Sequence, residues 1–156
     1  MNPYSGNQTI KQLEKRKGGY FFIKLDSTIV QKLSKKNRTR IICTIDKNIS
    51  IRCGLNHLGD GNFYIILAGK YLKNLNKNLG DTVNYKIEED PDQLGVDVPE
   101  VLLVLFEQDS ELKTIFNKIT DGKKRSLIHS FHKIKNIDRQ VEIITNFLLK
   151  EKQYLN

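Results

Sequence analysis

Two histidines, His129 and His132, stand three residues apart inside the basic run TDGKKRSLIHSFHKIKNIDRQ, residues 120–140. On a helix that spacing puts both imidazoles on one face, where they could ligate one metal ion. Zinc takes three or four protein ligands, and no thiol or carboxylate accompanies the pair at a metal-site spacing. No metal is therefore expected, and both histidines read as partly exposed helix residues. His57, alone in a turn-like segment, reads the same way. The cations nearby suit a different chemistry. Lys123, Lys124, Arg125, Lys133, Lys135 and Arg139 gather near the junction of two expected helices, and clustered cations are what phosphate neutralisation requires. They are the candidate anion-binding or nucleic-acid-binding residues. Lys35, Lys36, Arg38 and Arg40 form a second group. The competing reading of both groups is a solvated face, since no RRM, KH or zinc-finger signature and no aromatic stacking platform reinforces the charge.

Other reactive residues lack the company that chemistry needs. Cys43 and Cys53 lie in strand-like segments without CxxC spacing and read as reduced thiols. No Gly-x-Ser-x-Gly elbow surrounds a serine, and Ser126 and Ser130 have only ordinary helical neighbours. The glycines fit turns rather than phosphate loops. The acidic run Glu88, Glu89, Asp90 and Asp92 lacks the spaced oxygens and central glycine of a calcium loop. The chain is thus expected to be a non-enzyme without a cofactor. Its net charge of +8 is segmented: +3 over residues 1–19, +4 over 20–95, −4 over 96–122 and +5 over 123–156. No apolar run approaches the roughly 18 residues of a membrane span, and the N-terminal residues lack the apolar core of a secretory signal. A soluble, cytoplasmic protein without membrane insertion is expected.

The elements that would position these residues show an internal repeat. GYFFIKLDSTIVQKL, residues 19–33, and GNFYIILAGKYLKNL, residues 61–75, coincide at an offset of 42 through Gly19, Phe21, Ile23, Leu25 and Leu33. The same offset carries Ile41, Cys43 and Ile45 onto Val83, Tyr85 and Ile87, and Leu13 onto Leu55. Phe-x-Ile-x-Leu alternation directs one strand face to a core. Helical spacing follows at Ile29, Val30 and Leu33, with Asp26 and Ser27 as caps, and at Tyr71, Leu72 and Leu75. With an upstream strand, QTIKQLE or ISIRCGL, each copy reads β-β-α-β. Two copies predict a duplicated small β-barrel over residues 1–95, with Phe21, Ile23, Leu25, Phe63, Ile65 and Leu67 in its core.

From Val98 the period becomes helical. VPEVLLVLFEQ places Pro99 in a first helical turn, followed by Val101, Leu102, Leu105 and Phe106. Asp109 opens a second helix, and Leu127, Ile128, Phe131 and Ile134 line a third. Ile137, Val141, Ile144 and Leu148 line a fourth after Asn136 as its cap. The fold class is α+β, with residues 96–156 a C-terminal helical segment packed on the barrel as one compact unit.

Four blocks in order, KGGYFFIKLDSTIVQKL, LGDTVNYKIEEDP, VPEVLLVLFEQDSELKTIF and KKRSLIHSFHKIKNIDRQVEII, resemble those of the YdeI/OmdA-like bacteriocin-protection proteins, over about residues 8–150. The resemblance implies a double-split barrel of AbrB-like topology, a domain of unknown function, ahead of the helices. It implies no catalytic residues. The family's helical block typically reads Ala-Lys-x-x-Glu-Thr-Arg-x-x-Arg-Ile. Here Lys135 and Ile144 match and Asp138 replaces the glutamate, but Gln140 and Ile143 hold the two arginine positions. Arg139 and Arg125 are the substitutes for any anion site built there. The function expected is a non-enzymatic interaction or bacteriocin-protection role with a protein partner. The alternatives are sequence-nonspecific nucleic-acid binding through the basic helix junction, and a small-molecule-binding barrel, which requires a cavity.

Overall fold

Apolar residues at every second position organise the first half of the chain in the computed structural model, which describes residues 4–155. The strands are β1 (Tyr4–Thr9), β2 (Lys11–Gln12), β3 (Phe21–Leu25), β4 (Ile41–Ile45), β5 (Ile49–Cys53), β6 (Asn56–His57), β7 (Phe63–Leu67) and β8 (Thr82–Glu89). Helix α1 (Ser27–Val30) follows β3, and α2 (Gly69–Leu75) follows β7. Two four-stranded antiparallel sheets result, in the orders β1-β8-β4-β5 and β2-β3-β7-β6. In β8 the pleat buries Val83, Tyr85 and Ile87 and exposes Thr82, Asn84, Lys86 and Glu88. Those side chains join Ile41, Cys43 and Ile45 of β4 and Ile23, Leu25, Phe63, Ile65 and Leu67 of the other sheet in one core.

The core expected from alternation is present except at Phe21, which is half-buried at the start of β3. Phe22 is buried as well, although alternation turns it to the opposite face; its ring lies 5.3 Å from that of Tyr64. The expected closed barrel is not what the described residues form. Each sheet is open, ending in β1 and β5 or in β2 and β6. β2 and β6 are two residues long, too short to carry a hydrogen-bonded ladder from one sheet round to the other.

The strands matched at offset 42 pair with each other: Ile23 stands opposite Ile65 between β3 and β7, and Thr44 opposite Lys86 between β4 and β8. Upstream the correspondence lengthens to 45, from Lys11 in β2 to Asn56 in β6, because residues 13–20 join β2 to β3 whereas only residues 58–62 join β6 to β7. The offset of 42 between Leu13 and Leu55 is lost across that longer turn. The turn contains a 3₁₀ stretch, Lys15–Lys17, closed by Gly18 at φ +104°, where any Cβ would collide with the Tyr20 ring. Asp26 takes the N-cap position of α1 without a side-chain cap bond, and the Ser27 N–H donates instead to Asn62 Oδ1 at 2.9 Å.

Between Gly95 and Val96 the chain divides into two compact units. The second holds α3 (Glu100–Gln108), α4 (Ser110–Lys118), α5 (Asp121–Phe131) and α6 (Ile137–Lys152). Pro99 sits at the N-cap of α3 rather than inside its first turn. Three starts are fixed by side chains: Asp109 accepts from the Leu112 N–H, Thr120 from Lys123 and Asn136 from Arg139. The helices bury a core of their own, including Leu102, Phe106, Ile115, Leu127, Phe131, Ile144 and Leu148. Among the described residues no helix is long and apolar enough to cross a membrane.

Candidate functional site

The six cations of the helix junction meet different fates. Lys123 Nζ donates to Glu151 at 2.6 Å and lies 5.9 Å from the Tyr154 ring. Lys124 Nζ is 3.7 Å from Asp121 and rests 5.3 Å from the Phe116 ring, which leaves its side chain 18% exposed. Arg139 pairs with Glu142 at 3.0 Å, and Arg125 is half-buried and engaged. Lys133 and Lys135 are exposed in the turn between α5 and α6, with no ion pair among the described residues. Lys123 and Lys133 are ten residues apart along and beyond α5, which at the helical rise is about 15 Å. The cluster in sequence is therefore two lysines at a turn plus partnered side chains elsewhere. Residues 96–156 hold 10 Lys and Arg against 9 Asp and Glu, while residues 1–95 hold 16 against 9, so most of the net charge belongs to the β-rich unit.

The rings of His129 and His132 meet edge to face at 5.7 Å, with His132 Nδ1 2.9 Å from the His129 carbonyl oxygen. His57 lies 5.0 Å from the Phe63 ring and 3.3 Å from Asn37. No group of three or more metal-ligating side chains converges among the described residues. Arg40 of the second basic group and Arg52 meet the acidic run in one network. Arg52 Nε donates to the buried Asp90 at 2.8 Å and its Nη2 to Asp92 at 3.3 Å. Gln93 accepts from the Arg40 N–H and donates to the carbonyls of Arg40 and Asp90. The Arg40 side chain lies so close to Gly54 and Gly95 that a Cβ at either would strike it. The run thus fastens the end of β8 to the start of β4.

Burial pushes the Cys53 thiol up to about 12, opposed by Arg40 and reinforced by Asp90, and burial followed by Cys53 pushes Cys43 higher still. Both thiols keep their protons at neutral pH and are poor nucleophiles. Ellman's reagent is expected to label the buried Cys43 only in guanidinium and the half-buried Cys53 slowly in the folded protein; rapid labelling of Cys43 in the native state would contradict this burial. Unfolded thiols titrate near about pH 8.5. The two thiols' contribution to stability is therefore constant below that pH, where both states keep the proton, and falls as pH rises above it, where only the unfolded chain ionises.

The most distinctive surface lies elsewhere in the helical unit. A groove of about 590 Å³ runs between α3 and the start of α6. Val101, Val104 and Leu105 line it from α3, Ile137 and Val141 from α6, together with Phe131. Its polar members are Glu100, Gln108, His132 and Gln140. Gln140, in one of the positions where the resemblance implies arginine, donates to the Ile134 carbonyl, while Ile143, in the other, packs on the helical core. Helix α3 is apolar on every side from Val101 to Phe106, yet only Leu102 and Phe106 are buried. Leu103 stays 53% exposed, Val104 44% and, across the groove, Ile137 58%. An all-round apolar helix is ordinarily buried, so such exposure marks a surface built to be covered. Periodicity picked out the inward residues of α3 and passed over Leu103 and Val104; the signal available was the unbroken apolar run itself.

Residues 8–87 match the family model described as a domain of unknown function, DUF1905. No curated protein matches the chain.

Proposed function

Because the chain belongs to the DUF1905 family, we propose that it is a non-enzymatic interaction protein of the YdeI/OmdA-like protection type, whose helical groove takes an amphipathic helix from a protein partner. The observation that carries this reading is the exposure of Val104 and Ile137, one on each wall of the groove. Helices dock in such grooves through apolar side chains spaced along one face. On α3 the stripe that lines the groove runs Glu100, Val101, Val104, Leu105, Gln108. Glu100 is the carboxylate of that lining, and it makes no ion pair among the described residues. A partner helix with leucines along one face and a lysine or arginine placed to meet Glu100 complements it.

The test uses a fluorescein-labelled amphipathic helix of Leu and Lys and its Leu and Glu counterpart, read by anisotropy. The full-length protein carries +8, so charge alone favours the acidic peptide. Binding of the basic peptide at micromolar concentration, tighter by about tenfold than the acidic one and lost in Val104→Asp, is the expected result. Preference for the acidic peptide, or binding indifferent to Val104→Asp, overturns it. Mixed-sequence DNA is the competing probe. DNA binding tighter than that of the Leu and Lys peptide, and lost on reversing Lys133 and Lys135, would put sequence-nonspecific nucleic-acid recognition first.

We read residues 4–95 as a duplicated β-β-α-β unit of the double-split, AbrB-like kind. The pairing of β3 with β7 about Ile23 and Ile65, and of β4 with β8 about Thr44 and Lys86, supports this. A local twofold axis would set each strand against its own copy in that way. The small-molecule alternative needs a cavity inside this unit, and the full burial of Ile23, Leu25, Ile45 and Ile65 in one cluster weighs against an internal one. Two free thiols, Cys43 and Cys53, support a reducing, cytoplasmic setting.

A further inference from the structure

The β-rich unit carries a second concavity, which shares no residue with the helical groove, and we propose that it binds a small organic anion: an anionic head on an apolar, aromatic or acyl body. The cleft is open to solvent and has a volume of about 650 Å³, within the usual range of about 300 to 1,000 Å³ for small-molecule sites. One wall is a single face of α2, because Gly69, Leu72, Lys73 and Asn76 follow the i, i+3, i+4, i+7 spacing that stacks side chains along one stripe. The other wall is the loop from α2 to β8, with Lys77, Asn78 and Leu79. Gln12 of β2 and Phe21 of β3 complete the lining.

Both walls are held by backbone hydrogen bonds, so little ordering remains for a ligand to impose. Asn76 adopts the left-handed conformation at φ +55° that ends α2, and the Lys77 N–H donates back to the Leu72 carbonyl at 3.0 Å. The Asn78 N–H donates to Asp81 Oδ2 at 2.7 Å, and the Gly80 N–H donates to the Ile10 carbonyl at 2.9 Å, tying the loop to the β1–β2 strand.

The lining selects the ligand class. Lys73, Lys77, Gln12, Asn76 and Asn78 line the cleft, the Gln12 amide donating to the Gly19 carbonyl at 3.1 Å, and no carboxylate is among the lining residues. Lys77 Nζ makes one long bond, 3.3 Å to the Thr82 carbonyl, and keeps further donors for an anion. The apolar part is Phe21, Leu72 and Leu79, of which Leu79 is 54% exposed and Phe21 half-buried. A bare anion such as acetate gains nothing from that floor, and a neutral aromatic gains nothing from the lysines. A molecule with both parts uses the whole lining. All the lining residues fall within the matched family segment, so the site belongs to the DUF1905 domain and stands independently of the helical groove.

The experiment is a ¹H–¹⁵N correlation titration of the full-length protein with 2-naphthoate and 2-naphthyl phosphate, with 2-naphthalenemethanol as the uncharged counterpart and acetate as the anion without the apolar body. Saturable shifts confined to Gln12, Phe21 and residues 69–79 are expected with one or both anions, and the two arms tell carboxylate from phosphate. Either counterpart should bind more weakly by about tenfold. Gly69→Phe supplies the blocking variant: an added Cβ at Gly69 meets nothing within 4 Å and its φ is not positive, so the helix tolerates the change while the ring fills the cleft. Loss of the shifts in Gly69→Phe, with the rest of its spectrum unchanged, supports the site. No saturable shift with either anion, an equal response to the alcohol, or shifts that persist in Gly69→Phe overturn it. Lys73→Glu, an exposed substitution, serves as the second variant and should weaken the anions while sparing the alcohol.

Discussion

Phe63→Ala is expected to lower the stability of the β-rich unit by about 3 to 5 kcal/mol, the usual cost of removing a buried aromatic ring. Phe63 is 6% exposed, stands opposite Leu25 in the β3–β7 ladder and lies 5.0 Å from the His57 ring. The void cannot readily close. Its neighbours Leu25, Ile65 and Leu67 lie on β3 and β7, which pair with each other along their whole length, so they cannot slide inward without breaking that ladder. Much of the loss is then cavity rather than solvation. Urea unfolding followed by circular dichroism gives the measurement, with Tyr64→Ala on the same strand as the comparison. Tyr64 is only half-buried and its loss should cost distinctly less. A shift for Phe63→Ala within about 0.5 kcal/mol of zero, the usual scatter of surface substitutions, would remove Phe63 from the core.

The strands were legible because a half-buried strand announces itself locally. Val83, Tyr85 and Ile87, or Phe63, Ile65 and Leu67, need only their own spacing to be recognised. The same applies to the helix starts at Asp109 and Asn136, where a cap and the turn it closes lie within three residues. What could not be read depends on partners distant in the chain. Closure of a barrel is decided by whether edge strands continue a ladder, and the brevity of β2 and β6 leaves no mark in QTIKQLE or in NHLG. Phe22 looks outward by alternation until Tyr64, 42 residues on, is placed against it.

Charge was the least legible property, since a lysine's availability depends on what lies beside it. Lys123 meets Glu151 across 28 residues and Lys124 settles on Phe116 in the preceding helix, so a run that reads as one basic patch becomes mostly internal pairing. The groove and the cleft share this property. The groove joins residues 99–108 to residues 131–141, and the cleft joins residues 69–79 to Gln12 and Phe21. For the groove a local trace existed, the apolar run of α3, which exceeds what one buried stripe requires. For the cleft there was none, because Lys73, Asn76 and Lys77 are ordinary residues for the end of an exposed helix.

Arg52→Leu should cost about 3 kcal/mol, the low end for breaking a buried ion pair by removing one partner. The value sits low because the Arg52 side chain is 33% exposed, so water already shares its charge. Asp90 has no such relief: its side chain is 4% exposed and its Oδ2 accepts from Arg52 at 2.8 Å. Without Arg52 its carboxylate keeps the Asp92 N–H, which donates to Oδ1 at 2.9 Å, and little else to offset its desolvation. Arg52→Lys should recover only part of the loss, because one ammonium cannot reproduce the guanidinium fork that reaches both Asp90 and Asp92. The decisive comparison is the cycle with Asp90→Asn. If the cost of Arg52→Leu is that of stranding a buried charge, the double variant must be less destabilised than the two single losses added, since no charge is left behind. Strict additivity would mean that Arg52 acts by packing its methylenes over β5, and that the end of sheet β1-β8-β4-β5 is fastened instead by the bonds Gln93 makes to Arg40 and Asp90.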